Sequence, residues 1–462
     1  MYYLILLVVY SLAQIALGVW IGRRVRTTRD FFVAGRSLGP GLLFSTMLAA
    51  NIGAGSTVGA AALGYRDGLA AVWWVGAASI GSLVLALWVG PAMRRTAAAH
   101  DLRTVGDFLE FRFGVGVRTT LSVLLWAGSI FILAAQLIAI ATILNVVVGL
   151  RLAAGCVLGG FLITIYFTAG GLLTSAWVNV VQLTVKLIGF AIALPLALSR
   201  AGGWSAVAAL HPTRDYWSLW HRGESGILYL AVLGPAFVVS PGLLQKIYGA
   251  RDDRTVRVGV GLNAASLAAY AMVPVVLGMI ARVRFPELAS PQLALPTVLK
   301  EGLPAVVGGL GLAAVFSAEL SSADAALFML TTSLSQDLYR RFVAPHASDA
   351  QLLRITRITA VAAGTLGVLV ALVAASVITA LTIFYTLMSV SLFVPIVGGL
   401  YVPAARSREA MGAVVAGVAT VVVRQFVFGG ARVYGITPAM AGLAAATGVF
   451  AVLLALRRGS ES

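Results

Sequence analysis

Charge is scarce in this chain. Only 11% of its 462 residues are Asp, Glu, Lys or Arg, whereas 60% are hydrophobic, and the mean hydropathy is +0.96. Those values lie far outside the range of soluble globular domains, so a polytopic membrane protein is expected. Acidic residues are the scarcest charge, 17 against 33 basic ones, for a net charge of +16. A basic excess points to nucleic acid only when it forms a patch or motif on a soluble face. Here the basic residues sit in short loops between apolar runs, and no nucleic-acid partner is expected. The single cysteine, Cys156, precludes an intramolecular disulfide framework and reads as a small core residue. The four histidines (His100, His211, His221 and His346) fall in loops without metal-ligand spacing, which argues against zinc or acid–base catalysis at membrane depth. No phosphate-cradling P-loop pattern is present, so no nucleotide-driven pump is expected.

What the chain has in abundance is long apolar runs. Residues 3–22 lack a basic region ahead of them and are followed by Arg23, Arg24, Arg26 and Arg29, so they read as a retained helix and not a cleaved leader. With about 20 residues per span, helices are expected near 3–22, 40–64, 69–93, 117–148, 152–169, 171–199, 227–248, 256–282, 304–336, 353–375, 378–403, 410–427 and 436–456, thirteen in all. With the N-terminus outside, 22 of the 33 basic residues, Lys246 among them, fall in segments on the cytoplasmic side, as the positive-inside rule requires. The C-terminus is then cytoplasmic. Residues 104–113 mix Phe108, Leu109, Phe111 and Phe113 with Asp107, Glu110 and Arg112, which suits a short interfacial helix. Trp204, Trp217 and Trp220 in the polar loop 201–226 suit the headgroup level.

Two of these spans are interrupted. Residues 40–64 contain Asn51-Ile52-Gly53-Ala54-Gly55-Ser56-Thr57, and 227–248 contain Pro235 and Pro241. An unpaired backbone group in hydrocarbon costs several kcal/mol, so irregular backbone at membrane depth survives only beside protein or a polar cavity. Paired breaks in two halves of a chain point to a transporter's binding site. Candidates to meet a solute there are Asn51, Ser56, Thr57, Gln136, Phe237, Ser240, Tyr385 and Ser389. Helix packing alone would also account for any one of them. No lysine or arginine falls in the breaks themselves.

Further polar groups lie inside spans. Ala318, Ser321 and Ser322, at i, i+3 and i+4, share one helix face. Two readings of the serines stay open: ligands to a small hard cation, or hydroxyls returned to carbonyls one turn back. Asp324, Lys186 and Glu319 are ionisable residues within spans, where such groups are rare and usually functional. Lys186 either pairs with Glu319 or Asp324, or releases and takes up a proton.

Several segments together resemble the sodium:solute symporter family from about residue 5 to 425. They are Phe31-Phe32-Val33-Ala34-Gly35-Arg36-Ser37, Ala49-Ala50-Asn51-Ile52, Gly170-Gly171 with Trp177-Val178-Asn179-Val180-Val181-Gln182, and Ser321-Ser322 with Asp337-Leu338-Tyr339-Arg340. The resemblance implies an all-α membrane protein of the LeuT type. Its architecture would be one extra N-terminal helix, a 5+5 inverted repeat (40–199 and 227–403) and two C-terminal helices in 410–456. It implies Na+ held by backbone oxygens of Ala49, Ile52 and Ala318 with the hydroxyls of Ser321 and Ser322. The family often has an aspartate where this chain has Asn179 and a neutral residue where it has Asp324, so a charge moved between neighbouring helices is a further expectation.

The function expected is secondary active transport: Na+-coupled symport of a small organic solute into the cell through the inner membrane, by alternating access. The alternatives are proton coupling through Lys186 and a transporter-like solute sensor. No enzyme activity, organic cofactor, nucleotide or obligate protein partner is expected.

Overall fold

A computed structural model describes residues 2–22, 36–168, 172–209, 214–220, 226–374, 376–427, 429–430 and 435–461. The motif segments 31–35 and 170–171 and the arginines at 23–29 lie outside the described residues. The described chain is helical, and ten of its helical stretches are long and apolar enough to cross a membrane. The helices Tyr2–Gly22 and Leu152–Thr168 add shorter apolar stretches. At the centre is the helix Ala305–Thr332, where every residue from Gly311 to Thr332 except Ala325 is buried. It packs against Leu172–Arg200, Val115–Val148 and Pro40–Asn51.

The first break lies where the glycines and hydroxyls are. Helix Pro40–Asn51 begins at a proline in its first turn, where no amide partner is needed, and ends at Ile52 in extended backbone. A single 3-10 turn, Ala54–Ser56, leads into helix Val58–Asp67. The freed groups are satisfied locally. Ser56 Oγ accepts from the Gly53 amide at 3.0 Å and reaches the Asn51 carbonyl at 2.8 Å, and Thr57 Oγ1 lies 2.9 Å from the Gly53 carbonyl. Gly53 is required by crowding, because a Cβ there would stand 2.0 Å from Ser322 Oγ.

The second break is narrower than the two prolines suggest. Pro235 is accommodated inside helix Tyr229–Val239, and the chain turns only at Ser240, before Pro241 opens helix Pro241–Tyr248. The Ser240 carbonyl accepts from the amides of Leu243 and Leu244, so little backbone is left exposed.

Two loop expectations change once the chain is folded. The segment 104–113 is a helix, Val105–Phe113, capped by Thr104, but it buries Phe108, Leu109 and Phe113 against the bundle. The tryptophans of the 201–226 loop pack on other aromatic rings: Trp204 stacks edge-on with Trp217, and Trp220 lies 5.5 Å from Trp73. Beside them, the Tyr216 hydroxyl donates to the Gly64 carbonyl at 2.7 Å. The segment 214–220 therefore packs against the end of helix Val58–Asp67 through Tyr216.

Candidate functional site

Side chains from four parts of the chain converge on the first break. Asn51, Gly53, Gly55 and Ser56 of the break, Gln136 of Val115–Val148, Phe237 of Tyr229–Val239 and Tyr385 of Val377–Tyr401 line one small cavity, with Ser322 from the central helix. Its free space is about 30 Å³, roughly two water-sized spheres. Gln136 is held in place because its carbonyl accepts from the Ala54 amide at 2.9 Å, and Asn51 Nδ2 donates to Asn263 Oδ1 at 3.0 Å. Trp74, Phe237 and Tyr385 form a continuous aromatic wall, with ring centroids 5.4 to 6.1 Å apart.

Five of the eight expected solute contacts therefore meet. The other three turn elsewhere. Thr57 is buried behind the break and donates to Glu319 Oε1 at 2.7 Å, Ser389 Oγ donates to the Val232 carbonyl, and Ser240 is taken up as the cap of its helix. Sequence reasoning missed Trp74, Val75, Ala78, Ile132, Leu233, Leu267 and Leu381, which complete the wall. Trp74 alone carried a usable signal, as an aromatic with a polar handle inside a span.

The expected Na+ ligands are also brought together, and a cation of the chain itself stands among them. Lys186 Nζ donates to the carbonyls of Ala49 at 2.6 Å and Ile52 at 3.1 Å, and to Ser321 Oγ at 2.5 Å. The lysine is fully buried. Ser321 Oγ also lies 2.7 Å from the Ala49 carbonyl and 3.0 Å from that of Ala318, while Ser322 Oγ donates to the Ala50 carbonyl at 2.8 Å. The serines thus stitch the central helix to the break, one of them also bonding back along its own helix.

Lys186 is in no direct ion pair among the described residues. Its interaction with Glu319 is Coulombic, without a bridging contact. Glu319 uses Oε1 on Thr57, and its Oε2 is buried with no hydrogen-bond partner among the described residues. Asn179 Nδ2 donates to Thr46 Oγ1 at 3.0 Å, tying Leu172–Arg200 to Pro40–Asn51. Asp324 acts electrostatically on Lys246. That lysine lies inside the expected span 227–248 although it counts among the cytoplasmic-side basic residues, and it is 2% exposed within helix Pro241–Tyr248, all eight residues of which are buried.

A second polar centre was not anticipated. Arg118 reaches Glu110 at 2.6 Å, Asp337 at 2.9 Å and Asp107 at 3.1 Å, and Thr104 Oγ1 donates to Asp337 Oδ1 at 2.7 Å. Arg341 adds a contact to Glu110 at 2.8 Å. Nearby, Arg36 donates to the carbonyls of Tyr248, Ala97 and Leu102. The Asp337-containing motif is thus bolted to helix Val105–Phe113.

A bundle of membrane-spanning helices with two broken members around a small polar cavity defines a membrane transporter of the LeuT fold. The sodium:solute symporter family model matches residues 31–417, and the chain belongs to that family, whose members are transporters and not enzymes. It is 26% identical to the human Sodium/iodide cotransporter, over 72% of this chain and 55% of that protein. It is 23% identical to the Sodium/glucose cotransporter of Vibrio parahaemolyticus, over 75% of this chain and 70% of that one. The match thus spans little more than half of the human relative's length. In structure it is similar to a substrate-bound, outward-open Na+-coupled sialic acid symporter, with a TM-score of 0.80, 19% identity and 98% of both chains covered.

Proposed function

We propose that this chain carries a small organic solute across the cell (inner) membrane by alternating access, with Na+ entry as the energy source. The observation that supports this most is the meeting, around one cavity, of an unwound segment, a second broken helix and the Ser321–Ser322 face of the central helix. The relatives' names, both sodium cotransporters, favour Na+. One charge moving through the membrane potential supplies about 2.3 kcal/mol per 100 mV, enough for useful accumulation. In this reading the two repeats are 40–199 and 227–403, flanked by the helix at 3–22 and the pair in 410–456. The N-terminus is outside, and the Arg118 cluster and C-terminus are cytoplasmic.

Na+ and the Lys186 ammonium exclude one another at the oxygens of Ala49, Ile52 and Ser321. Sodium coupling at this place therefore requires Lys186 to withdraw during the cycle. Its three contacts favour a second reading, in which a proton on Lys186 does the work of the ion. Uptake into proteoliposomes decides between them: a Na+ gradient at constant pH drives accumulation under the first reading, and a pH gradient without Na+ under the second. Labelled-solute counterflow that fails with either cation would reject transport in favour of sensing.

A further inference from the structure

The cavity at the break is unbalanced in its hydrogen-bonding groups. Three donors on its wall, the Trp74 indole N–H, the Tyr385 hydroxyl and the Gln136 side-chain NH2, have no hydrogen-bond partner among the described residues. Two of these side chains press on the same turn. A Cβ placed on Gly53 would stand 3.0 Å from the Gln136 amide oxygen, and one on Gly55 would stand 3.1 Å from Trp74 Nε1. Against these donors the wall offers little to a donor-bearing ligand. Ser56 and Ser322 already give their hydroxyl protons to backbone carbonyls, and the spare amide acceptor is Asn51 Oδ1.

A ligand that filled this space without acceptors would leave buried donors unpaired, at the full desolvation cost of each. A carboxylate carries two oxygens with about four acceptor sites and no donor, which suits such a wall. A polyol brings a donor with every hydroxyl, for which this wall has few acceptors, and a quaternary ammonium brings neither donor nor acceptor, although the aromatic faces alone would attract it. No lining side chain is charged, but the Lys186 ammonium sits on the Ala49 and Ile52 carbonyls that flank the lining residues Ala50 and Asn51. The remainder of the wall, including Leu233, Leu267 and Phe237, is apolar, and the free space is about 30 Å³.

We propose, resting on the reading of this cavity as the transport site, that the solute is a short-chain monocarboxylate. Its carboxylate accepts from Trp74, Tyr385 and Gln136, and its aliphatic end packs on Leu233, Leu267 and Phe237. The test is thermal unfolding of the purified full chain at fixed Na+ and ionic strength, titrated with acetate, propionate or lactate and, separately, with acetamide, choline or glucose. Saturable stabilisation by the carboxylates is expected, with acetamide at least about tenfold weaker, because hydrogen bonds to a charged group are the stronger class. Trp74→Phe and Tyr385→Phe preserve the rings and should each weaken carboxylate binding about tenfold without shifting unliganded unfolding. Gln136→Leu serves as a third variant should either fail to fold.

Stabilisation by choline or glucose and not by carboxylates overturns the assignment, as does full carboxylate affinity in all folded variants or no response to any solute. Counterflow separates this outcome from the transport reading itself. Carboxylate binding without counterflow rejects transport and leaves the ligand assignment standing, whereas counterflow of choline or glucose alone does the reverse.

Discussion

Lys186 and Arg118 are both buried cations, and the molecule treats them in opposite ways. Lys186 is held by two backbone carbonyls and a serine hydroxyl, all neutral. Arg118 is held by three carboxylates, Asp107 and Glu110 on helix Val105–Phe113 and Asp337 on the extension of the central helix, and so ties three elements together. A guanidinium stays charged throughout and forks onto several oxygens, whereas an ammonium is a compact charge that can exchange its proton. The first surrounding suits a cation that must come and go. The second suits a clamp. Beside the clamp, the space lined by Thr104, Ser129, Gln245 and Asp337 is only about 10 Å³.

Three measurements break or sharpen the contrast. The largest effect is expected from Lys186→Met, which keeps the chain length and removes the ammonium. Gradient-driven uptake should fall to background while counterflow survives, and unimpaired accumulation would show that Lys186 is only structural. Next is Arg118→Ala, which leaves Asp337 buried beside Thr104 without its counter-charge. A loss of about 3–5 kcal/mol is expected, read as a lowered unfolding midpoint, since stranding one partner of a buried pair is strongly destabilising. Arg118→Lys should recover only part of it, because it cannot reproduce the fork.

The smallest effect concerns an exposed carboxylate, Asp252, the cap of helix Asp253–Tyr270. The hydrogen bond from Thr255 holds its carboxyl below the ordinary carboxylate range. Its contribution is therefore fully present above the unfolded value near about pH 4 and is lost as pH falls through the lower folded value. Unfolding midpoints of wild type and Asp252→Asn between pH 2 and 6 should converge at the acidic end and differ slightly above it. An equal difference at every pH would mean that the charge is irrelevant to the cap.

Much of the architecture was legible because the bilayer allows few alternatives. A run of Asn, Gly, Ser and Thr inside an apolar span had to be an interruption, and the structure unwinds Ile52 to Thr57. The serine face at 321–322 was legible by helical spacing. Leu233 and Leu381 were not, since an apolar side chain facing a cavity and one facing a neighbouring helix follow the same periodicity. Arg118 stands at the start of the expected span 117–148 with nothing local to mark it, and its three acidic partners lie 8, 11 and 219 positions away. Lys246 is a related case: a basic residue near the end of a span ordinarily marks its aqueous side, while helix Pro241–Tyr248 carries that charge inward.

The chain's composition determined that it lies in a membrane, and the residue order determined where two helices unwind, because hydrocarbon tolerates free backbone only in such places. Which cation meets the oxygens of Ala49, Ile52 and Ser321 was decided only by folding. Those groups are 137, 134 and 135 positions from Lys186, and contact across such distances depends on how whole helices pack, which no local pattern encodes.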